Sequence, residues 1–385
     1  MGGRMATQFF RSGVRLVVPM VTVMAFAIVG VGASGPLAGA SRRANVSVAT
    51  CGQEAQAAVA KAEASIPAGV PKGRVSRAAS KGKTFWFISA SQSVPDLYQT
   101  SQGVQAAGKA AGIKIHIFDG TGSVSGFNQG VSEAVANNAA GIILQGITPS
   151  LVSSPLAAAK RAHIPVIDAQ NGDFNAPLTN GILAHISTDF TKDGRTMADY
   201  VLANTGCKAD VLELTTTLYV GLTDTHNGFK QQLNQLCPSC TLQSLTVNFS
   251  TIATSVPQQV NTALLQDPNI NYVVPDADGI GFYAAPAAHS QKVGIPVIGH
   301  DGSPANLAFI RQGVQTADLA YPPPGYIGWK EVDMLIRARA HVPLPSGYFP
   351  TRLFDKSNLP STNSAAKMFP SLTKYQALFR AVWKN

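Results

Sequence analysis

Residues 114–145 read KIHIFDGTGSVSGFNQGVSEAVANNAAGIILQ. An apolar run at 114–118 stops at Asp119-Gly120, a helix-period stretch fills 127–137, and a second apolar run, GIILQ, follows at 141–145. A strand, a helix and another strand in this order make a βαβ unit, which belongs in a parallel sheet covered on both faces. Outward from it, TFWFI at 84–88 reads as a buried strand before a helix at 97–111, and 149–162 and 165–168 continue as helix and strand. The alternation restarts with helix 193–204, strand 210–214, helix 228–236, strand 242–247, helix 257–265, strand 272–274, helix 282–292 and strand 296–299. The prediction is two similar doubly wound α/β lobes, with a ligand cleft where the carboxyl ends of their strands converge.

The chain has 385 residues, 45% of them hydrophobic and 13% charged, enough to bury a large core. Its net charge of +9 sits at the front: residues 1–83 hold 11 of the 30 Lys and Arg but 2 of the 21 Asp and Glu, leaving 19 of each behind them. A neutral body argues against a nucleic-acid partner. Arg4, Arg11 and Arg15 precede an apolar run at 16–31 and an Ala38-Gly39-Ala40 ending, so 1–40 is expected to be a signal peptide cleaved after Ala40. The run is short for a membrane span and Pro19 interrupts it. Cys51 lies in a poor lipobox, so no lipid anchor is expected and the membrane is met only through a partner. Residues 41–83 read as a basic tether with a short helix at 53–65.

Four Cys in an exported chain suggest disulfides. Cys237-Pro238-Ser239-Cys240 has redox spacing but stands at a helix end, not at a strand-to-helix turn. Cys207 and Cys240 each precede a strand; parallel neighbours would bring them together, which makes Cys207–Cys240 the expected bridge. Seven scattered His show no metal spacing, and Asp119 to Gly126 only imitates a dinucleotide fingerprint, so neither metal nor cofactor is expected. The sequence lacks a G-x-S-x-G elbow and a P-loop, and an exported enzyme is the weaker reading.

Asp119, Ile164-Pro165-Val166-Ile167-Asp168, Ser187-Thr188-Asp189 with Gly194, Gly228-Phe229, Val297-Ile298-Gly299-His300-Asp301-Gly302-Ser303-Pro304 and Gly313 stand in the order and spacing of a known pattern. The chain resembles a type I periplasmic sugar-binding protein of the ribose-binding class, and its tether and tail are similar to extensions of exported actinobacterial members. The resemblance implies a non-enzymatic, monomeric receptor that closes on a small solute and delivers it to the permease of an ABC importer. It also implies three hinge crossovers, near 187–189, 320–324 and 354–358. Lobe one is then 84–187 with 325–353, and lobe two is 189–319 with 356–385 as tail.

Carried over residue by residue, the family's ligand positions fall on Ser93 and Tyr98 after the first strand, Gln170 and Asn171 after the fourth, Thr225 before Gly228-Phe229, Asp276, Asp301 and Tyr321. The family's arginines are absent from these positions. Without a guanidinium fork, the set favours a neutral or cationic polar solute over an anion. A sugar or polyol is expected first; the alternative is a sensor-type binding protein for a nucleoside, a signal molecule or a small aromatic compound.

Overall fold

The computed structural model describes residues 47–65, 67, 69 and 71–385, so the expected signal peptide lies outside the described residues. Lobe one holds a five-stranded parallel sheet in the order β3-β2-β4-β5-β6, from β2 (Thr84–Ser89), β3 (Lys114–Asp119), β4 (Gly141–Gln145), β5 (Val166–Ala169) and β6 (Ile182–Ile186). Phe85, Phe87, Ile143 and Ile167 pack on one face, and Trp86, Ile88, Ile142 and Leu144 on the other. Period-two alternation with both faces apolar requires helices on both sides. These are α2 (Pro95–Ala111), α3 (Val124–Ala136), α4 (Ser153–Arg161) and α10 (Pro324–Arg339). Helices α2 and α10 cross closely because they meet through glycine: a Cβ on Gly103 would lie 2.8 Å from Gly325, and one on Gly328 would lie 2.5 Å from the Val104 nitrogen.

Lobe two contains β7 (Asp210–Thr215), β8 (Thr241–Thr246) and β9 (Tyr272–Pro275) in the order β8-β7-β9, all parallel. A single bridge, Val273 to Val297, leads from β9 toward β10 (Ile298–Asp301), which pairs in parallel with β11 (Ala317–Ala320). The antiparallel β12 (Arg352–Asp355) closes that edge. Around them lie α5 (Phe190–Thr205), α6 (Val220–Leu236), α7 (Ile252–Gln266), α8 (Asp278–Gln291) and α9 (Pro304–Gln312).

Several expectations are corrected. Residues 352–355 already pair with β11, so the third crossing precedes Arg352 and does not lie at 354–358. The segment expected as a tether is docked. Helix α1 (Val48–Glu63) starts earlier than 53, since the Ser47 hydroxyl caps it by accepting from the Thr50 N–H at 3.1 Å. Its Cys51 is bonded to Cys207, and Cys237 to Cys240, so the Cys207–Cys240 bridge is not formed. The premise behind that bridge is present, with β7 and β8 adjacent and Cys240 Sγ 3.2 Å from the Ala209 nitrogen, but α1 packs against α5 and reaches Cys207 first. Downstream, β1 (Val75–Ser76) pairs with β13 (Trp383–Lys384) beyond α11 (Ala365–Met368) and α12 (Tyr375–Val382). The tail thereby ends on lobe one, where Trp383 stacks on Trp329 of α10 at 5.3 Å, and not on lobe two. No described helix is long and apolar enough to cross a membrane.

Candidate functional site

One cleft of about 620 Å³, its open mouth included, is lined from both lobes at the carboxyl ends of their strands. That is the place expected of a small-molecule site. The lobes touch around it: the Thr148 hydroxyl of lobe one donates to the Leu218 carbonyl at 3.1 Å and accepts from the Val220 N–H at 3.1 Å.

On the lobe-one side, the turn after β2 places Asp96 in the first turn of α2, buried at 3% exposure. Asp96 Oδ2 accepts from Gln170 Nε2 at 3.0 Å, while Oδ1 has no hydrogen-bond partner. Gln170 is held in turn by Gln145, whose amide donates to Gln170 Oε1, and it sits in the left-handed region at φ 50° just past β5. Burial pushes the Asp96 carboxyl up to about 6 against the lowering effect of the Gln170 bond, with the Asp318 charge adding to the rise.

On the lobe-two side, Asp301 ends β10 at φ 124°, a strained conformation for a residue with a side chain. Its Oδ2 accepts from the Asp278 N–H at 3.0 Å, which also explains why α8 begins there and not at 282. Burial raises the Asp301 carboxyl to about 8; the neighbouring His300 lowers it, and the charge of Asp96 raises it. His300 is fully buried, 3.1 Å from the Asp276 carbonyl through Nδ1 and 3.3 Å from Asp193 Oδ2 through Nε2. Burial pulls its pKa down, but the Asp193 bond and the charges of Asp301 and Asp193 outweigh this and lift it to about 8.

The walls between these acids are apolar and aromatic. Tyr219 and Phe249 meet edge to face at 4.9 Å, Phe190 and Tyr321 at 6.2 Å, and Val94, Leu97 and Leu222 fill the rest. Among the described residues, no Lys, Arg or His lines the cleft.

Four of the residues expected from sequence, Gln170, Asn171, Asp301 and Tyr321, line this space, and four do not. Ser93 bonds to the Ser91 hydroxyl at 2.8 Å, and Ser91 takes the lining position. Tyr98 is half exposed on α2 and points out of the lining, although its neighbours Asp96 and Leu97 belong to it. Thr225 is buried inside α6, its hydroxyl donating to the Gly221 carbonyl at 3.0 Å. Asp276 lies below the cleft floor beside Glu213, held in its protonated form by burial and by that neighbour. Sequence reasoning passed over Asp96, Phe190 and Phe249. Among the described residues no group of three or more His, Cys, Asp or Glu is arranged to hold a metal ion.

Residues 85–340 match the model of a periplasmic binding protein domain. Comparison with curated proteins gives no match. Similar solved structures include a carbohydrate transporter solute-binding protein from Agrobacterium radiobacter in complex with D-arabinose, at 19% identity and TM-score 0.66, covering 74% of this chain and 98% of that one. A protein from Mycobacterium smegmatis in complex with β-D-fucofuranose aligns at 18% identity and TM-score 0.64 over 78% of this chain and 97% of its own. A sugar ABC transporter protein from Yersinia enterocolitica aligns at 17% and 0.67 over 85% and 96%. At these identities the structures establish the shared two-lobed fold. The family match spans well over half of the chain, which therefore belongs to the periplasmic binding protein domain family.

Proposed function

We propose that this chain is an exported solute-binding protein that captures a small polar molecule between its lobes and presents it to the permease of an ABC importer. The observation that carries the reading is a single cleft built from strand ends of both lobes, with carboxylates and amides but, among the described residues, no cationic side chain in its lining. Binding, not turnover, suits this chemistry, since the carboxylates of Asp96 and Asp301 stand without a neighbouring nucleophile. Gln170, Asn171, Asp301 and Tyr321 serve as ligand contacts, joined by Asp96. Solutes of the sugar class, found in several proteins of similar fold, are the first candidates. The rings of Phe190, Tyr219 and Phe249 favour as second reading a small aromatic solute. Export follows from the leader read in sequence, and the Cys51–Cys207 bridge supports it twice: it suits an oxidising compartment and leaves Cys51 no thiol to lipidate. A thermal-shift screen of the chain from Ser41 onward against sugars, polyols, nucleosides and aromatic compounds tests the reading. A solute at 100 times its Kd adds about 2.7 kcal/mol of stability; no shift with any compound would overturn it.

A further inference from the structure

Resting on the solute-binding reading above, we propose that the preferred solute carries a protonated amine, seated between the carboxylates of Asp96 and Asp301, on a compact body whose apolar face packs against Tyr219 and Phe249. Asp96 comes from lobe one and Asp301 from lobe two, and both face the same cleft. Their charges repel one another there, and among the described residues no Lys, Arg or His lines the space with them. His300, outside the cleft lining, pairs with Asp193 at 3.3 Å and stands at the longer distance of 3.8 Å from Asp301. Asp96 Oδ1 is buried without a partner although its other oxygen is held firmly by Gln170. That leaves an oriented acceptor waiting for a donor.

A neutral hydroxyl can donate one hydrogen bond to such an oxygen but brings no charge to stabilise its ionised form. An ammonium offers three donors and cancels charge as well. The walls that would hold the rest of the solute are rings and aliphatic side chains, which add area but no countercharge.

The groups facing the two acids give the pH dependence its sign. Asp301 faces His300, Asp278, Asp318 and Tyr321, and Asp96 faces Asp318 and Glu331. Burial raises both Asp96 and Asp301, so an arriving cation must displace protons. Amine affinity therefore strengthens as pH rises through the range where the free acids hold protons, by up to tenfold per pH unit for each proton released.

The test uses matched pairs on the mature protein: sorbitol against glucamine (1-amino-1-deoxysorbitol), and tyrosol against tyramine, by thermal shift and calorimetry at pH 5.5 and pH 7.5. The expected result is binding of an amine and not of its neutral partner, at least about tenfold tighter at pH 7.5. Asp96→Asn and Asp301→Asn should each remove the preference for the amine. If neutral members, or sugars and nucleosides from the wider screen, bind as well as amines, or if acidity has no effect, the amine proposal falls while the solute-binding function stands. If nothing binds, both fall.

Discussion

Along α10, Lys330, Asp333 and Arg337 are buried with hydrogen-bond partners, whereas Glu331 of the same helix is buried with neither carboxyl oxygen bonded and its pKa is pushed well up by burial. Arg337 Nε donates to Asp333 Oδ2 at 2.7 Å and its Nη2 to the Gly73 carbonyl at 3.0 Å. Trp383 Nε1 donates to the other Asp333 oxygen at 2.7 Å, and Lys330 Nζ reaches the Tyr348 carbonyl at 2.7 Å. In the cleft, Asp96 is buried and Asp301 partly exposed, and among the described residues no Lys, Arg or His lines the space with them. The bonded α10 groups pin the tail and the front segment onto lobe one, whereas in the cleft Asp96 Oδ1 stays without a partner. Buried charge that is bonded marks a joint here, and an unpartnered acid that lines the cleft marks the candidate site.

This contrast can be broken from either side. Replacing Asp333 by Ala strips Arg337 and the Trp383 indole of their acceptor together. It should cost about 3–5 kcal/mol in chemical denaturation and leave solute affinity unchanged. A loss of affinity without loss of stability would erase the distinction. The Cys51–Cys207 bridge is a second joint, closing a separation of 156 residues, so Cys51→Ser should lose about 2–4 kcal/mol, again without effect on the solute. The Cys237–Cys240 pair spans three residues, and Cys240→Ser should cost less on loop entropy alone.

Acidity sharpens the contrast. Asp96 and Asp318 are raised to about 6 and Asp301 to about 8, so the folded protein retains protons that the unfolded chain gives up near pH 4. His300, raised to about 8 from its ordinary value near 6.5, acts with the same sign at the upper end. The solute-free protein should therefore lose stability as pH rises from about 4 to about 8, and urea unfolding at pH 5 and pH 8 measures it. Greater stability at pH 8 would show that these acids are compensated. The smallest effect belongs to the front segment: Arg77 bonds to the Asn385 side chain at 2.6 Å on an exposed edge, and Arg77→Ala should change stability by less than about 1 kcal/mol and affinity not at all.

Much of this was readable in the residues. Strands β2 to β5 and β7 to β10 follow from apolar runs alternating with helix-period stretches, whereas β11 and β12 were not read from the sequence. Strand β6 escaped because Ile182–Ile186 (ILAHI) is an edge strand with its middle residues partly in solvent. Gln170, Asn171, Asp301 and Tyr321 were reached through the family resemblance, whose ligand positions fall just past strand ends, where open α/β folds place ligands. Asp96 was not, since an acid in the first turn of a helix is already accounted for by the helix dipole. Phe249 lies in the connection between β8 and α7, and only the meeting of the lobes brings it over Gly122 and into the cleft wall. The cysteine pairing depended on where α1 docks, which no local spacing records.

The central claim is that the two cleft acids, Asp96 and Asp301, are the solute's anchors and not only parts of the scaffold. Calorimetry with the best solute from the screen, on the parent protein and on Asp96→Asn and Asp301→Asn, tests it most directly. Each substitution should weaken binding by one to two decades, about 1.5–3 kcal/mol, while the melting temperature of the solute-free protein at pH 8 holds or rises. Variants that bind like the parent, or that lose affinity only because they have lost stability, would contradict it.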